Sequence, residues 1–196
     1  MKRTFVASVV AVGLSVFAFA ANAGEHTISG GYAQSHVKFD DKNLADYHLD
    51  NNPLGGNPKG FNLKYRYELD SNWGVIGSFT YTHLGNDLYI NSSKIGKSEL
   101  DYYSLMAGPT YRFNEYVSAY GMIGAAHGKV KASYLVNSNS GSDGYSKTSI
   151  GYGLGLQFNP VPNWTIDTSY EYAKFNEASL GDLKVGTWVV GVGYRF

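Results

Sequence analysis

A chain of 196 residues with 24 Gly, 17 Tyr, no Cys and a formal charge of zero is sized for one domain. Without cysteine there is no disulfide framework, thiolate metal site or Cys nucleophile. Balanced charge without a basic cluster leaves no nucleic-acid footprint, so no nucleic acid is expected as a partner.

The first predicted element is a leader. Lys2 and Arg3 precede an apolar, small-residue run from Thr4 to Ala20, and Ala21-Asn22-Ala23 forms an A-x-A site. Residues 1–23 therefore read as a cleaved secretory signal peptide, and 24–196 as a single domain. Nothing after Ala23 approaches the ~18 consecutive apolar residues of a spanning helix.

Eight segments of the remaining chain show strand periodicity: approximately 26–39, 60–69, 73–85, 99–113, 117–134, 145–158, 164–175 and 183–196. In the second, Phe61, Leu63, Tyr65, Tyr67 and Leu69 alternate with Asn62, Lys64, Arg66 and Glu68. In the fourth, Tyr103, Leu105, Ala107, Pro109, Tyr111 and Phe113 alternate with Tyr102, Ser104, Met106, Gly108, Thr110 and Arg112. The sixth sets Ile150, Tyr152, Leu154, Leu156 and Phe158 against Ser149, Gly151, Gly153, Gly155 and Gln157. In the seventh, Trp164, Ile166, Thr168, Tyr170 and Tyr172 oppose Thr165, Asp167, Ser169, Glu171 and Ala173. The eighth, VGTWVVGVGYRF, carries Trp188, Val190, Val192, Tyr194 and Phe196 on one parity, with Arg195, Gly193, Gly191, Thr187 and, as the exception, Val189 on the other. The first and fifth are less regular and leave their faces unassigned.

The gaps alternate in length. Residues 70–72, 114–116 and 159–163 are short, whereas roughly 40–59, 86–98, 135–144 and 176–182 are longer and more polar. That rhythm describes an up-and-down meander with one quiet end and one decorated end.

Two architectures share this pattern. In a soluble sandwich the apolar parity is the core. In a membrane barrel that parity faces lipid. The segments run to about ten residues or more, as a tilted membrane strand requires. Aromatic residues mark both ends of the apolar faces, as in Trp164 with Tyr172. The polar parity is rich in Gly, Ser and Thr, which suits the narrow interior of an eight-stranded barrel. The expected fold is all-β: an eight-stranded antiparallel up-and-down transmembrane β-barrel in a bacterial outer membrane. Lys64, Arg66, Glu68, Arg112, Asp167, Glu171 and Arg195 then form an interior charge network that plugs the lumen rather than lining a pore. The short turns share the periplasmic end with both termini, and four loops face outside.

Catalytic signals are weak. His36, His83 and His127 fall near the outer strand ends without a Ser-His-Asp spacing, and they read as rim residues. Gly151, Gly153 and Gly155 recur with period two and no helix follows, unlike a phosphate loop. No enzyme activity, cofactor, catalytic residue or metal-ligating residue is expected. The first loop, DDKNLADYHLDNNPLGGNPKG, mixes acidic and apolar residues and is the strongest candidate for partner binding.

GGYAQS (Gly30–Ser35), GVIGSFTYT (Gly74–Thr82), YYSLMAGPTYRFNEYVSAYG (Tyr102–Gly121) and VGTWVVGVGYRF (Val185–Phe196) resemble the Ail/OmpX/PagC/Lom family of enterobacterial outer-membrane proteins. The resemblance covers essentially the whole mature chain. It implies the eight-stranded barrel with four external loops. It also implies adhesion to host cells or matrix, invasion, and resistance to complement. In proteins that resemble this one, a terminal aromatic strand is read by the barrel-assembly machinery, which makes Tyr194 and Phe196 the assembly signal here. The expected partners are outer-membrane lipid and lipopolysaccharide, that machinery, and a host cell-surface, matrix or complement-regulator protein. Family activities follow the loops, so contacts are expected from Tyr47, Leu49, Tyr89, Ile90 and Lys94. The alternative is a structural envelope-integrity protein that packs against lipopolysaccharide through rim basic groups and has no specific host partner.

Overall fold

A computed structural model describes residues 26–40, 56–90, 93–136, 139–177 and 181–196. The predicted signal peptide, residues 1–23, and the first-loop residues Tyr47 and Leu49 lie outside the described residues. The strands are β1 (His26–Asp40), β2 (Lys59–Glu68), β3 (Trp73–Ile90), β4 (Ser93–Arg112), β5 (Val117–Val136), β6 (Asn139–Val161), β7 (Trp164–Glu177) and β8 (Gly181–Arg195). Each pairs antiparallel with the next, and β8 pairs with β1 from Thr27↔Arg195 to Asp40↔Asp182, so the barrel is closed. Closure leaves no unpaired edge, the condition for spanning hydrocarbon with strands.

Stepping from partner to partner, Tyr111 leads through Ala119, Leu156, Thr168, Val190, Tyr32, Phe61 and Tyr81 back to β4 at Tyr103, eight residues from the start. Eight strands with that stagger tilt by about 36°, and their interior is just wide enough for side chains to fill.

The bulky parity faces outward. Leu63, Leu105, Ile123, Leu154 and Val190 are 47–73% exposed around the middle of the barrel. A continuous apolar band of this kind has lipid, not water, as its solvent. Aromatic rings bound it. Near the short turns, Trp73 meets Tyr111 with ring centroids 4.9 Å apart, and Trp164 meets Tyr194 at 5.6 Å. Toward the other end, Phe61, Tyr81 and Tyr103 form a chain of rings, and Tyr170 packs on Trp188 at 5.0 Å. The eight-residue step from Tyr111 to Tyr103 along β4 corresponds to about 20 Å of depth after tilt, close to the height of an apolar membrane band.

Two of the short turns are closed by their own side chains. Asp70 Oδ1 accepts the backbone N–H of Asn72 (2.8 Å) and Trp73 (2.7 Å). Asn114 Oδ1 does the same for Tyr116 (2.9 Å) and Val117 (2.8 Å). These are Asx turns.

Of the spans read as long gaps, the described residues of 86–98, 135–144 and 176–182 are strand. Pairing continues to Ile90↔Ser93 in β3–β4, to Val136↔Asn139 in β5–β6 and to Glu177↔Gly181 in β7–β8. Tyr89, Ile90 and Lys94 thus belong to strands, with Tyr89 opposite Lys94, rather than to a loop; only their backbone is described. β4 and β6, at 20 and 23 residues, are about twice the length that crosses a bilayer. Beyond the lipid the outward face meets water. The apolar/polar alternation that marks a strand in sequence fades there, while backbone pairing does not.

Candidate functional site

The interior charges arise because one parity of β2 and β7 has nowhere to go but the lumen. They fall into layers. Nearest the short turns, the Glu68 carboxylate receives Arg112, receives Arg195 at 2.8 Å, and has Arg66 at 3.7 Å. Arg66 Nη1 donates to Gln157 Oε1 at 2.8 Å. One step further in, Lys64 donates to Asp167 and, at 3.0 Å, to Ser169. The Tyr120 hydroxyl bonds both Asp167 oxygens at 3.0 and 2.9 Å. Burial of these ions is compensated by pairing and hydrogen bonds, without which it is prohibitive.

Glu171 behaves differently. It is fully buried, yet among the described residues it makes no ion pair. Its carboxylate instead accepts hydrogen bonds from Ser104 (2.6 Å), Thr80 (2.8 Å) and Ser78 (3.3 Å). Grouped with the charges in the sequence, Glu171 is held by hydroxyls, because β3 and β4 present Ser and Thr at its depth and the basic residues stand nearer the short turns.

Above Glu171 the lumen becomes apolar: Val37, Leu100, Tyr102, Ala126, Phe175 and Val185 pack together. Outward residues on the same strands become polar there: Lys38 on β1, Asp101 on β4 and Lys174 on β7. The parity inverts where the strands leave the lipid. Inside the membrane the barrel is apolar-out and largely polar-in, apart from a buried cluster of Ile76, Met106, Tyr120 and Met122; beyond it, it has the ordinary hydrophobic core of a water-soluble sheet. The expectation of a polar interior therefore holds for most of the membrane part of the lumen, where the Ile76–Met106–Met122 cluster departs from it, and not for its outer part.

The predicted rim histidines lie apart on the outer surface. His36 Nδ1 is 3.1 Å from Asn57 Oδ1, His83 Nδ1 is 2.7 Å from Asp101 Oδ1, and His127 Nδ1 is 2.9 Å from Thr148 Oγ1. Tyr81 also donates to Asp101 at 3.1 Å. No serine completes the His83–Asp101 pair among the described residues. At the opposite end, Tyr194 faces outward against Trp164, and Phe196 exchanges backbone hydrogen bonds with His26 at 2.9 and 3.2 Å.

One surface feature escaped sequence reasoning. Lys38 on β1 stands opposite Lys184 on β8, which stands opposite Lys174 on β7. A groove of about 800 Å³ opens beside this row, lined by Gln34, His36, Lys38, Lys184, Tyr170 and Trp188. Gly186, in its lining, makes room for the Tyr170 hydroxyl that crosses β8, which a methyl there would overlap. Lys38 is far from the other two in the chain, and strand register brings all three into one row.

The whole chain matches known proteins. The family model for an outer membrane protein beta-barrel domain matches residues 4–196. The attachment invasion locus protein of Yersinia enterocolitica is 55% identical over 197 residues, covering 100% of both chains. Outer membrane protein X of Escherichia coli K12 is 40% identical over 199 residues, with 100% of both covered. The chain belongs to the Ail/OmpX/PagC family of outer-membrane β-barrels. Its crystallised relative Ail of Yersinia pestis, in complex with the heparin analogue sucrose octasulfate, is 50% identical. That likeness covers 89% of this chain and 100% of that one, with a TM-score of 0.71. The chain is accordingly an outer-membrane protein of an attachment- and virulence-associated family, and not an enzyme.

Proposed function

We propose that the chain mediates adhesion at the bacterial surface, with the extended hairpins and first loop meeting a host cell-surface or matrix partner and the basic groove engaging a polyanion. The observation that carries this reading is the Lys38–Lys184–Lys174 row beside an aromatic-walled groove. Cationic ammonium groups beside indole and phenol faces suit sulfated or phosphorylated sugars. The binding of sucrose octasulfate by a relative 50% identical supports that chemistry. Tyr47, Leu49, Tyr89, Ile90 and Lys94 are proposed as partner contacts, and recruitment of a complement regulator, giving serum resistance, would use the same outer segments. Tyr194 and Phe196 are proposed as the signal for the assembly machinery, since β8 must find β1 to close the barrel.

A second reading is favoured by the same row. It stands just beyond the outer aromatic belt, where the phosphates of lipopolysaccharide lie, and would anchor the barrel in a stable envelope without any host partner.

The experiment expresses three forms in a non-adherent, serum-sensitive enteric strain: the native chain, one with residues 42–58 replaced by a Gly/Ser loop, and Lys38→Gln/Lys174→Gln/Lys184→Gln. Heat-modifiable gel mobility first establishes folding. Adhesion that is lost in the loop form, and competed by sucrose octasulfate only when the lysines are present, is the expected result. A correctly folded native barrel that confers neither adhesion nor survival would overturn the adhesin reading and leave envelope anchoring.

A further inference from the structure

The groove beside the lysine row contains one ring whose charge can change in the physiological pH range. His36 lies on β1 between Gln34 and Lys38, and all three line the groove. Its Nδ1 is 3.1 Å from Asn57 Oδ1, and Asn57 is itself a groove residue. The stretch that carries Asn57 is fastened to β1, because the carbonyl of the next residue, Pro58, accepts the Ser35 N–H at 2.8 Å. The imidazole is thus held by one edge.

That contact places the proton. An amide oxygen only accepts, so Nδ1 carries the hydrogen, and the neutral ring then has a bare lone pair at Nε2. Nε2 is the ring atom left to serve a ligand in the groove. As an acceptor it opposes a sulfate or phosphate oxygen. A second proton reverses this: Nε2 becomes a charged donor, and charge-assisted hydrogen bonds to oxyanions are the strong ones. Asn57 need not move, because Nδ1 donates in both states.

The charged and titratable groups around the ring come from four strands. They are Lys38 on β1, Lys184 on β8, Lys174, Tyr170 and Tyr172 on β7, and Lys59 of β2 opposite Gln34. Two residues beyond the lysines the ladder sets Asp40 opposite Asp182. Between about pH 5.5 and 8, ammonium and phenol groups keep their protons and carboxylates have lost theirs, so in this set only an imidazole changes charge. A polyanion in the groove favours the charged ring, and by reciprocity the charged ring favours the polyanion.

We propose that His36 is the pH-dependent member of the groove: as the imidazolium it donates Nε2–H to an oxyanion held beside the lysine row, so polyanion binding strengthens as the medium acidifies. This rests on the polyanion reading of the groove given above and adds its regulation.

The test measures binding of sucrose octasulfate to the full folded barrel in neutral detergent, by calorimetry from pH 5.5 to 8 at constant ionic strength. Sulfate esters do not titrate in that range, so any pH dependence belongs to the protein. The expected result is an affinity about tenfold higher at pH 5.5 than at pH 8, with net proton uptake on binding near pH 7. His36→Gln should stay near the native pH 8 affinity throughout, and His36→Lys near the native pH 5.5 affinity throughout. His83→Gln and His127→Gln, on β3 and β5, should keep the native pH dependence. Nitrogen NMR of the His36 ring at pH 8 should find the hydrogen on Nδ1. No binding at any pH would overturn the groove reading and this inference with it. Equal affinity across the range, a pH dependence that survives in His36→Gln, or the hydrogen on Nε2 at pH 8 would overturn this inference alone.

Discussion

Lys64 and Asp167 illustrate how a membrane barrel uses charge. Each is buried against the other, with Ser169 and Tyr120 occupying the remaining valences. Removing one partner should cost far more than removing both. Lys64→Met is expected to destabilise the barrel by about 3–5 kcal/mol, whereas Lys64→Met/Asp167→Leu should recover most of that loss. Urea unfolding in lipid bilayers measures both, and equal destabilisation by the single and double variants would contradict the pairing. Glu171→Ala strips the acceptor from three hydroxyls and should cost about 1–3 kcal/mol in the same assay. At the turn, the backbone N–H of Trp73, and next that of Asn72, hold the exposed Asp70 carboxyl below the usual carboxylate range. A depressed folded value means that its contribution is complete above the unfolded value of about 3.9 and fades as pH falls through the folded one. Amide shifts of Asn72 and Trp73 should therefore titrate together below that pH, and in Asp70→Asn they should not.

At the scale of the element, narrowness governs the inward parity. A methyl at Gly124 would overlap the backbone of Leu105 and Met106, which are locked in the β4–β5 ladder and cannot swing aside. A methyl at Gly153 would meet chiefly the end of Met122, a flexible chain. Gly124→Ala should thus cost about 1–3 kcal/mol as overpacking, and Gly153→Ala distinctly less. The reverse order in urea midpoints would mean that the ladder, not the side chains, yields. The period-two pattern of β2, β4, β6, β7 and β8 was legible because each has one lipid face and one lumen face. The extensions of β3, β4 and β6 were not, because outside the lipid the outward face meets water and loses the apolar residues that mark it, while the backbone ladder continues.

For the whole molecule, depth in the membrane sets the cost of a charge. Leu154, 73% exposed in the middle of the outward band, should tolerate arginine poorly: Leu154→Arg is expected to cost about 2–4 kcal/mol. Thr148→Arg, six residues along β6 beyond the outer aromatic belt, should cost close to nothing, since the penalty falls to about 0–1 kcal/mol at the interface. Folding yields into bilayers, read by gel mobility, check the contrast, and equal penalties would move the membrane band. Alternation, the aromatic residues at both ends of each face, and the small inward residues are properties of single strands. With them the sequence by itself determined the barrel, its inside-out sense and the residues that enter its lumen. Register between strands distant in the chain is not such a property. The convergence of Arg66, Arg112 and Arg195 on Glu68, the isolation of Glu171 among hydroxyls, and the Lys38–Lys184–Lys174 row were decided only by the tertiary structure, because closing β8 on β1 with a stagger of eight residues chooses which side chains become neighbours.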